Sequence, residues 1–176
     1  MFWCKYAFCS TLDAAYCAHG RAGEDEIRDE VLAPVNAERQ LVSSGGRQNG
    51  RTGTNLPAAR SMLDLVWSCS LEMEAISILN NASCEFHPSS LPADKAYIYV
   101  SDYTYEEGFD FVIKPHISRI VEDELTVITA DEVKYNDESM LKSYASLIRE
   151  TTTVIACAKL ECPTLLHAFL CLTDEP

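Results

Sequence analysis

Four histidines, eight cysteines and a serine at position 143 are the side chains of this 176-residue chain whose types could do chemistry. A metalloprotease needs two imidazoles one helical turn apart with a glutamate between them. His19, His87, His116 and His167 stand alone, with no HExxH spacing and no nucleophile elbow beside them. They read as surface or capping histidines. Ser143 has no histidine or acid at a spacing that would activate it as a nucleophile. Cys69, close to Trp67, reads as a disulfide partner rather than a reactive thiol, because it is one of eight cysteines. The glycine-rich stretch SSGGRQNGRTGTN, 43–55, has neither GxxxxGK[ST] nor a strand before it, so it is no phosphate cradle. The expectation is a chain that is not an enzyme, with no catalytic residue, no cofactor and no metal site.

The cysteines themselves carry the stronger signal. None forms a CxxC pair, which argues against a zinc ribbon or thioredoxin-type site, and their even number fits up to four disulfides in an oxidising compartment. Asn81-Ala82-Ser83 is an N-glycosylation sequon, which agrees with secretion and makes Asn81 the candidate acceptor. A formal charge of -13 and a pI near 4.6 disfavour nucleic acid and anionic lipid as partners. The longest apolar runs are too short to cross a bilayer. Residues 1–12 resemble a signal core interrupted by Lys5, and the DEP terminus carries no anchor signal.

These groups must be positioned by elements that periodicity outlines. Residues 1–24 read as a Cys-bearing leader, part of a signal or an extension, and 25–176 as a single domain. Val31, Leu32, Val35 and Val42 form a helical stripe, with Pro34 expected in its first turn. The 43–55 stretch is the clearest loop. Residues 56–84 read as a helix that opens with Pro57, continues through Leu71, Ala75, Ile78 and Leu79, places Glu72 and Glu74 near its positive end, and finishes at Cys84. AYIYV, 96–100, reads as a strand, and Tyr105 to Ile120 as a helix bent at Pro115. LTVITA, 125–130, is a further strand. In YASLIRETTTVIACAKLECP, 144–163, alternation puts Tyr144, Ser146 and Ile148 on one face and Ala145, Leu147 and Arg149 on the other, then resumes at Val154, Ala156, Ala158 and Leu160. Two strands are expected there, and a last one over 167–173. Helices first and an antiparallel sheet late predict an α+β fold with helices covering the sheet.

Dispersed motifs then resemble one family. Leu56-Pro57-x-Ala59 followed by Met62, Leu65, Trp67, Leu71, Ala75 and Cys84 is similar to the "LPxA..M..L.W...L...A" segment of the CAP proteins, the cysteine-rich secretory, antigen-5 and pathogenesis-related group. Residues 142–149 match that family's GHYTQVVW in frame, Ala156-Cys157-Ala158 with Cys162 match its GCA…C, and FLCLTDEP resembles its closing FVCNYSPPG. More narrowly, YND…YASLI…TTTVIACAKLECP…LC resembles the CAP-like SAG surface antigens of Eimeria-type coccidian parasites, over residues from about 30 to 176.

The resemblance implies a three-layer α-β-α sandwich stabilised by disulfides, and a GPI-anchored or secreted antigen at the cell surface. It implies bridges from Cys157 to Cys171 and from Cys162 to Cys84. Cys69 is left for a leader cysteine, with Cys17 the choice and Cys4 with Cys9 a further pair. It also implies a lost metal site: CAP cleft histidines fall where this chain has Val35, in Val35-Asn36-Ala37-Glu38-Arg39, and Ser143. The expected role is a non-enzymatic antigen for host-cell attachment or immune interaction, with a host-cell surface or an antibody as partner and membrane contact only through a GPI anchor outside this chain. Arg47 and Arg51 in the 43–55 loop are the candidate contacts. The alternative is a secreted binder of a small hydrophobic ligand such as a sterol or fatty acid, held by Tyr97, Tyr99, Tyr103, Tyr105, Phe109 and Phe111, although core packing accounts for the same aromatics.

Overall fold

The strand His167–Thr173 is buried at every residue, which is what a strand sandwiched between two helical layers requires. The computed structural model describes residues 14–82, 91–103, 108–129, 132–134, 141–162 and 167–176. In chain order its elements are α1 (Ala33–Ser43), β1 (Val66–Trp67), α2 (Cys69–Ala82), β2 (Tyr97–Tyr103), α3 (Phe109–Ser118), β3 (Thr126–Thr129), β4 (Glu132–Lys134), α4 (Lys142–Leu147), β5 (Val154–Glu161) and β6 (His167–Thr173). The main sheet has the order β1-β5-β6-β2, with β1 parallel to β5 and the other pairs antiparallel; β3 and β4 form a separate ribbon.

Strand alternation assigns each side chain to a layer. Ile155 and Cys157 of β5, Phe169 and Cys171 of β6 and Ile98 of β2 meet Val31, Val35, Val112 and Ile113 from α1, α3 and the turn before α1. Ala156, Ala158, Ala168, Leu170 and Leu172 face the other way, onto Leu71, Ala75, Ile76 and Leu79 of α2. The architecture is thus the α+β, three-layer α-β-α sandwich. Small alanines on the α2 side let that helix lie close to the sheet. Each buried Phe or Leu on β6 stabilises the fold by roughly 1.5–3 kcal/mol relative to exposure. A third cluster of Val42, Leu56, Ile120, Leu125, Leu141 and Tyr144 closes one end.

Several elements differ from their sequence expectations. Pro34 lies in the first turn of α1, as expected, but the helical run does not begin there: a π-helical turn, Glu26–Leu32, runs directly into α1, and Ala33 N–H bonds the Arg28 carbonyl five residues back. Proline lacks a donor and its ring clashes with the carbonyl four residues back, which a wider turn relieves. The helix expected from residue 56 begins only at Cys69, because 56–65 runs as irregular chain. Pro115 does lie inside α3, which ends in a tighter turn, Arg119–Val121.

The largest correction is at 144–149, where a strand was expected and α4 forms. Leu141, Tyr144 and Leu147 are buried three residues apart, with Tyr144 and Leu147 going to different clusters. Two cores meeting at this segment select helical spacing over alternation.

The leader boundary at residue 24 crosses packed structure in its described part. Cys17 is bonded to Cys69 at the start of α2, with a Cα separation of 5.5 Å, and Ala22 lies in the sheet-facing core. Glu72 is fully buried and accepts hydrogen bonds from Arg21 N (2.7 Å), Ala22 N (3.1 Å) and Trp67 Nε1 (3.0 Å). It lies in the first turn of α2, at the positive end expected for it, and from there anchors the 14–24 segment. Gly20 passes so close that an added Cβ would lie 2.5 Å from Glu72 Oε1.

Candidate functional site

Of Val35 and Ser143, where the sequence resemblance puts the family's imidazoles, the first is in the core and the second is half-buried. Val35 is 1% exposed within the α1–α3 layer. Ser143, on the first turn of α4, borders a void of only about 10 Å³ beside Tyr97, Ile98 and Leu147. A valine inside an apolar cluster offers no lone pair, so a zinc ion does not fit this donor set. Among the described residues, no group of three or more His, Cys, Asp or Glu side chains gathers in a way that could hold a metal.

The neighbours of Val35 on α1 have kept work of their own. Asn36 makes a two-way amide clamp on Leu65, donating to its carbonyl (3.0 Å) and accepting from its N–H (2.7 Å), which holds the chain entering β1. Arg39 is 1% exposed and donates to four carbonyls: Leu63 (2.7 Å), Leu147 (2.6 Å), Arg149 (2.9 Å) and Thr152 (2.9 Å). These include carbonyls at the end of α4, which a helix leaves without intrahelical partners. Burial pulls the guanidinium pKa down from its ordinary value, with Asp64 and Asp174 acting in the opposite sense.

One residue before Arg39, Glu38 is 5% exposed and sits between two partners from distant segments. Arg47 makes a two-pronged ion pair with it, and the Tyr144 hydroxyl donates to its Oε1 at 2.7 Å. Burial, reinforced by the Glu38 bond, holds the Tyr144 phenol well above its usual pKa, while Glu38 raises that of Arg47. The cluster seats the 43–55 loop on α1 and α4. Asn49 completes the seating: it donates to the Leu125 carbonyl and accepts from the Leu125 N–H, both at 2.8 Å. Gly50, at φ +52°, passes where a Cβ would lie 2.7 Å from the Asp123 carbonyl oxygen. The loop is fastened rather than free.

Beside this cluster opens a groove of about 750 Å³. Its apolar lining includes Val42, Leu56, Leu125, Ala145 and Ile148, and the irregular stretch from Pro57 to Met62 forms one wall. Arg60, Lys134 and Arg149 line it together with one carboxylate, Glu150. Glu150 accepts hydrogen bonds from the Ser61 hydroxyl (2.7 Å) and backbone N–H, bonds that hold its pKa below the ordinary carboxylate value. Among the described residues that line it, three cations stand against one carboxylate, on a strongly acidic chain.

By sequence, no protein-family model and no curated protein matches the chain. By structure it superposes on Na-ASP-1 with a TM-score of 0.72 at 20% identity, over 90% of this chain and 38% of that one. It is also similar to NaASP2, whose structure was determined with Zn2+ (TM-score 0.69, 19% identity, 89% of this chain and 83% of that one). BmVAL-1 gives a TM-score of 0.67 at 21% identity, over 90% of this chain and 81% of that one. These are CAP-superfamily proteins. This chain has a CAP-like fold. It spans well under half the length of Na-ASP-1.

Within this CAP-like fold the remaining candidates fall in separate places. Cys157 and Cys171 are direct cross-strand partners on β5 and β6 and are bonded, the pairing that the resemblance implied. Cys162 is disulfide-bonded, while Cys84, Cys4 and Cys9 lie outside the described residues. Arg47 is turned inward onto Glu38, so it is no open contact; Arg51 is exposed. Asn81 is exposed in the last turn of α2.

Among the described residues, the aromatics proposed for an apolar groove are not gathered in one place. Tyr99 packs on the α2 side of the sheet and Phe109 on the opposite side, while Tyr97 and Phe111 are each 37% exposed. Tyr105 and the Tyr103 side chain lie outside the described residues. Of the histidines, His19 is exposed in a turn and His116 is half-buried, its pKa lowered by burial and then by Arg119. His167 is buried at the start of β6, and His87 lies outside the described residues. Glu38, Tyr144 and the groove escaped sequence reasoning because they join segments far apart in the chain, and no local spacing marks them.

Proposed function

We propose that the chain is a non-enzymatic, disulfide-stapled module that acts by binding outside the cell, as a parasite surface antigen of the Eimeria-type SAG kind, in host attachment or immune interaction. The observation that carries this reading is the fate of the cleft: the positions where the resemblance puts imidazoles hold a core valine and a half-buried serine. The rigid frame around them is kept by Arg39 and by cross-linking. A GPI anchor supplied by sequence outside this chain would hold the module at the parasite surface. The fold comparison supports an extracellular role: similar structures include a hookworm platelet inhibitor, at a TM-score of 0.58 and 16% identity over 91% of this chain. The test uses refolded, oxidised protein on host epithelial cells. Saturable binding, blocked by excess unlabelled protein and lost on reduction, is the expected result. Binding that is unsaturable or absent would overturn the reading. Arg51→Ala is the loop variant to use, since Arg47→Ala would disturb the Glu38 cluster.

A second reading is favoured by the groove. Its volume and apolar lining match a site for a small hydrophobic ligand. The aromatic stretch first considered for that role is divided between the two faces of the sheet. Mass spectrometry of an organic extract of natively secreted protein tests this reading, with a stoichiometric lipid the result that would raise it above the first.

A further inference from the structure

We infer that the groove bordered by 57–62, α4 and the β3–β4 ribbon is a docking site for an acidic, extended peptide segment of a partner protein, anchored by an aliphatic side chain. The inference rests on the binding-module reading and names its surface. Three observations converge on it. The floor is apolar, with Val42, Leu56, Leu125 and Ile148, and supplies a place for one or two aliphatic side chains. Arg60, Lys134 and Arg149 surround it, and Glu150 is already engaged by Ser61. Among the described lining residues cations outnumber carboxylates three to one, a balance that favours carboxylates on the ligand although the chain as a whole is acidic. Finally, Ala58 and Ala59 lie in irregular chain on the groove wall, and among the described residues their backbone groups have no hydrogen-bond partner.

That last point separates a peptide from a lipid. An extended peptide can satisfy main-chain donors and acceptors along the wall while alternate side chains enter the floor, as in strand addition. A fatty acid would use the cations and the floor but leave the backbone of Ala58 and Ala59 to water. The observations thus favour a peptide, and charge complementarity makes it an acidic one.

The test screens a displayed library of random octapeptides against the oxidised protein and measures selected peptides by fluorescence anisotropy. Selected sequences should carry two or more carboxylates around a bulky aliphatic residue. The Lys134→Glu/Arg149→Glu protein should bind them at least tenfold more weakly, and circular dichroism should show its fold unchanged. N-methylation of alternate peptide amides should weaken binding by a similar factor. No enrichment, enrichment without acidic bias, or binding indifferent to the charge reversal would overturn the inference. So would stoichiometric laurate binding that tracks the same substitutions while no peptide is selected, since the occupant would then be an amphiphile. Epithelial-cell binding by the charge-reversed protein keeps the two proposals apart: if it persists, the antigen reading stands whatever becomes of the groove.

Discussion

Replacing Arg39 by methionine removes the hub that ties α1 to the chain before β1 and to the turn between α4 and β5. Its four hydrogen bonds all go to backbone carbonyls, and those to Leu147 and Thr152 are fully buried. Methionine fills a similar volume without a donor, so these two carbonyls lose their partner at about 1–3 kcal/mol each. The two part-buried carbonyls regain water and contribute less. Relief of the buried cation's desolvation offsets part of the loss. The balance is a destabilisation of about 3–5 kcal/mol, a large share of the roughly 5–15 kcal/mol that holds a domain folded. Arg39→Lys, a point charge with no planar fork, should recover less than half. Equilibrium urea unfolding of the oxidised protein, followed by near-UV circular dichroism, measures both variants. A loss below about 1 kcal/mol for Arg39→Met, or equal stability of the lysine variant and the parent, would refute the assignment of Arg39 as a structural hub.

Three further outcomes follow from the same geometry. Tyr144→Phe should cost about 2 kcal/mol by removing the bond to Glu38. Because burial raises the folded phenol's pKa, its contribution is complete below the unfolded value of about 10 and is lost as pH rises toward the folded one. The parent should thus lose more stability than the Phe variant between neutral and strongly alkaline pH, as urea unfolding at a series of pH values will show. Removing Cys17–Cys69, with a sequence separation of 52, should destabilise by about 4 kcal/mol, and removing Cys157–Cys171, with a separation of 14, by about 3 kcal/mol on loop entropy alone, read as denaturation midpoints of the paired serine variants. Zinc titrated into the oxidised protein by calorimetry should show no saturable site of micromolar or better affinity; a site abolished by mutating cleft acids would contradict this.

Local pattern determined much of the frame. The alternation at 154–160 marked β5, and the nearly continuous apolar run at 167–173 marked β6, as a strand buried on both faces requires. The proline-interrupted apolar run marked α3, and the β-branched run at 125–130 marked β3. The dispersed CAP-like motifs implied the three-layer sandwich, and the sequence itself shows no imidazole at positions 35 and 143. Tertiary structure alone decided the rest. Residues 144–149 alternate well enough for a strand, yet 144–147 belong to α4, where Tyr144 and Leu147 reach different cores. The helix containing Pro34 starts earlier than expected because a π-helical turn can accommodate the ring. Arg47 reads as a loop cation and is an internal partner of Glu38 only because the 43–55 loop folds back on α1, a contact whose charge partner and hydroxyl come from residues 9 and 106 positions apart from Glu38. Periodicity reports which face of one element is buried; it carries no information about which distant segment supplies the polar group that makes burying a charge tolerable.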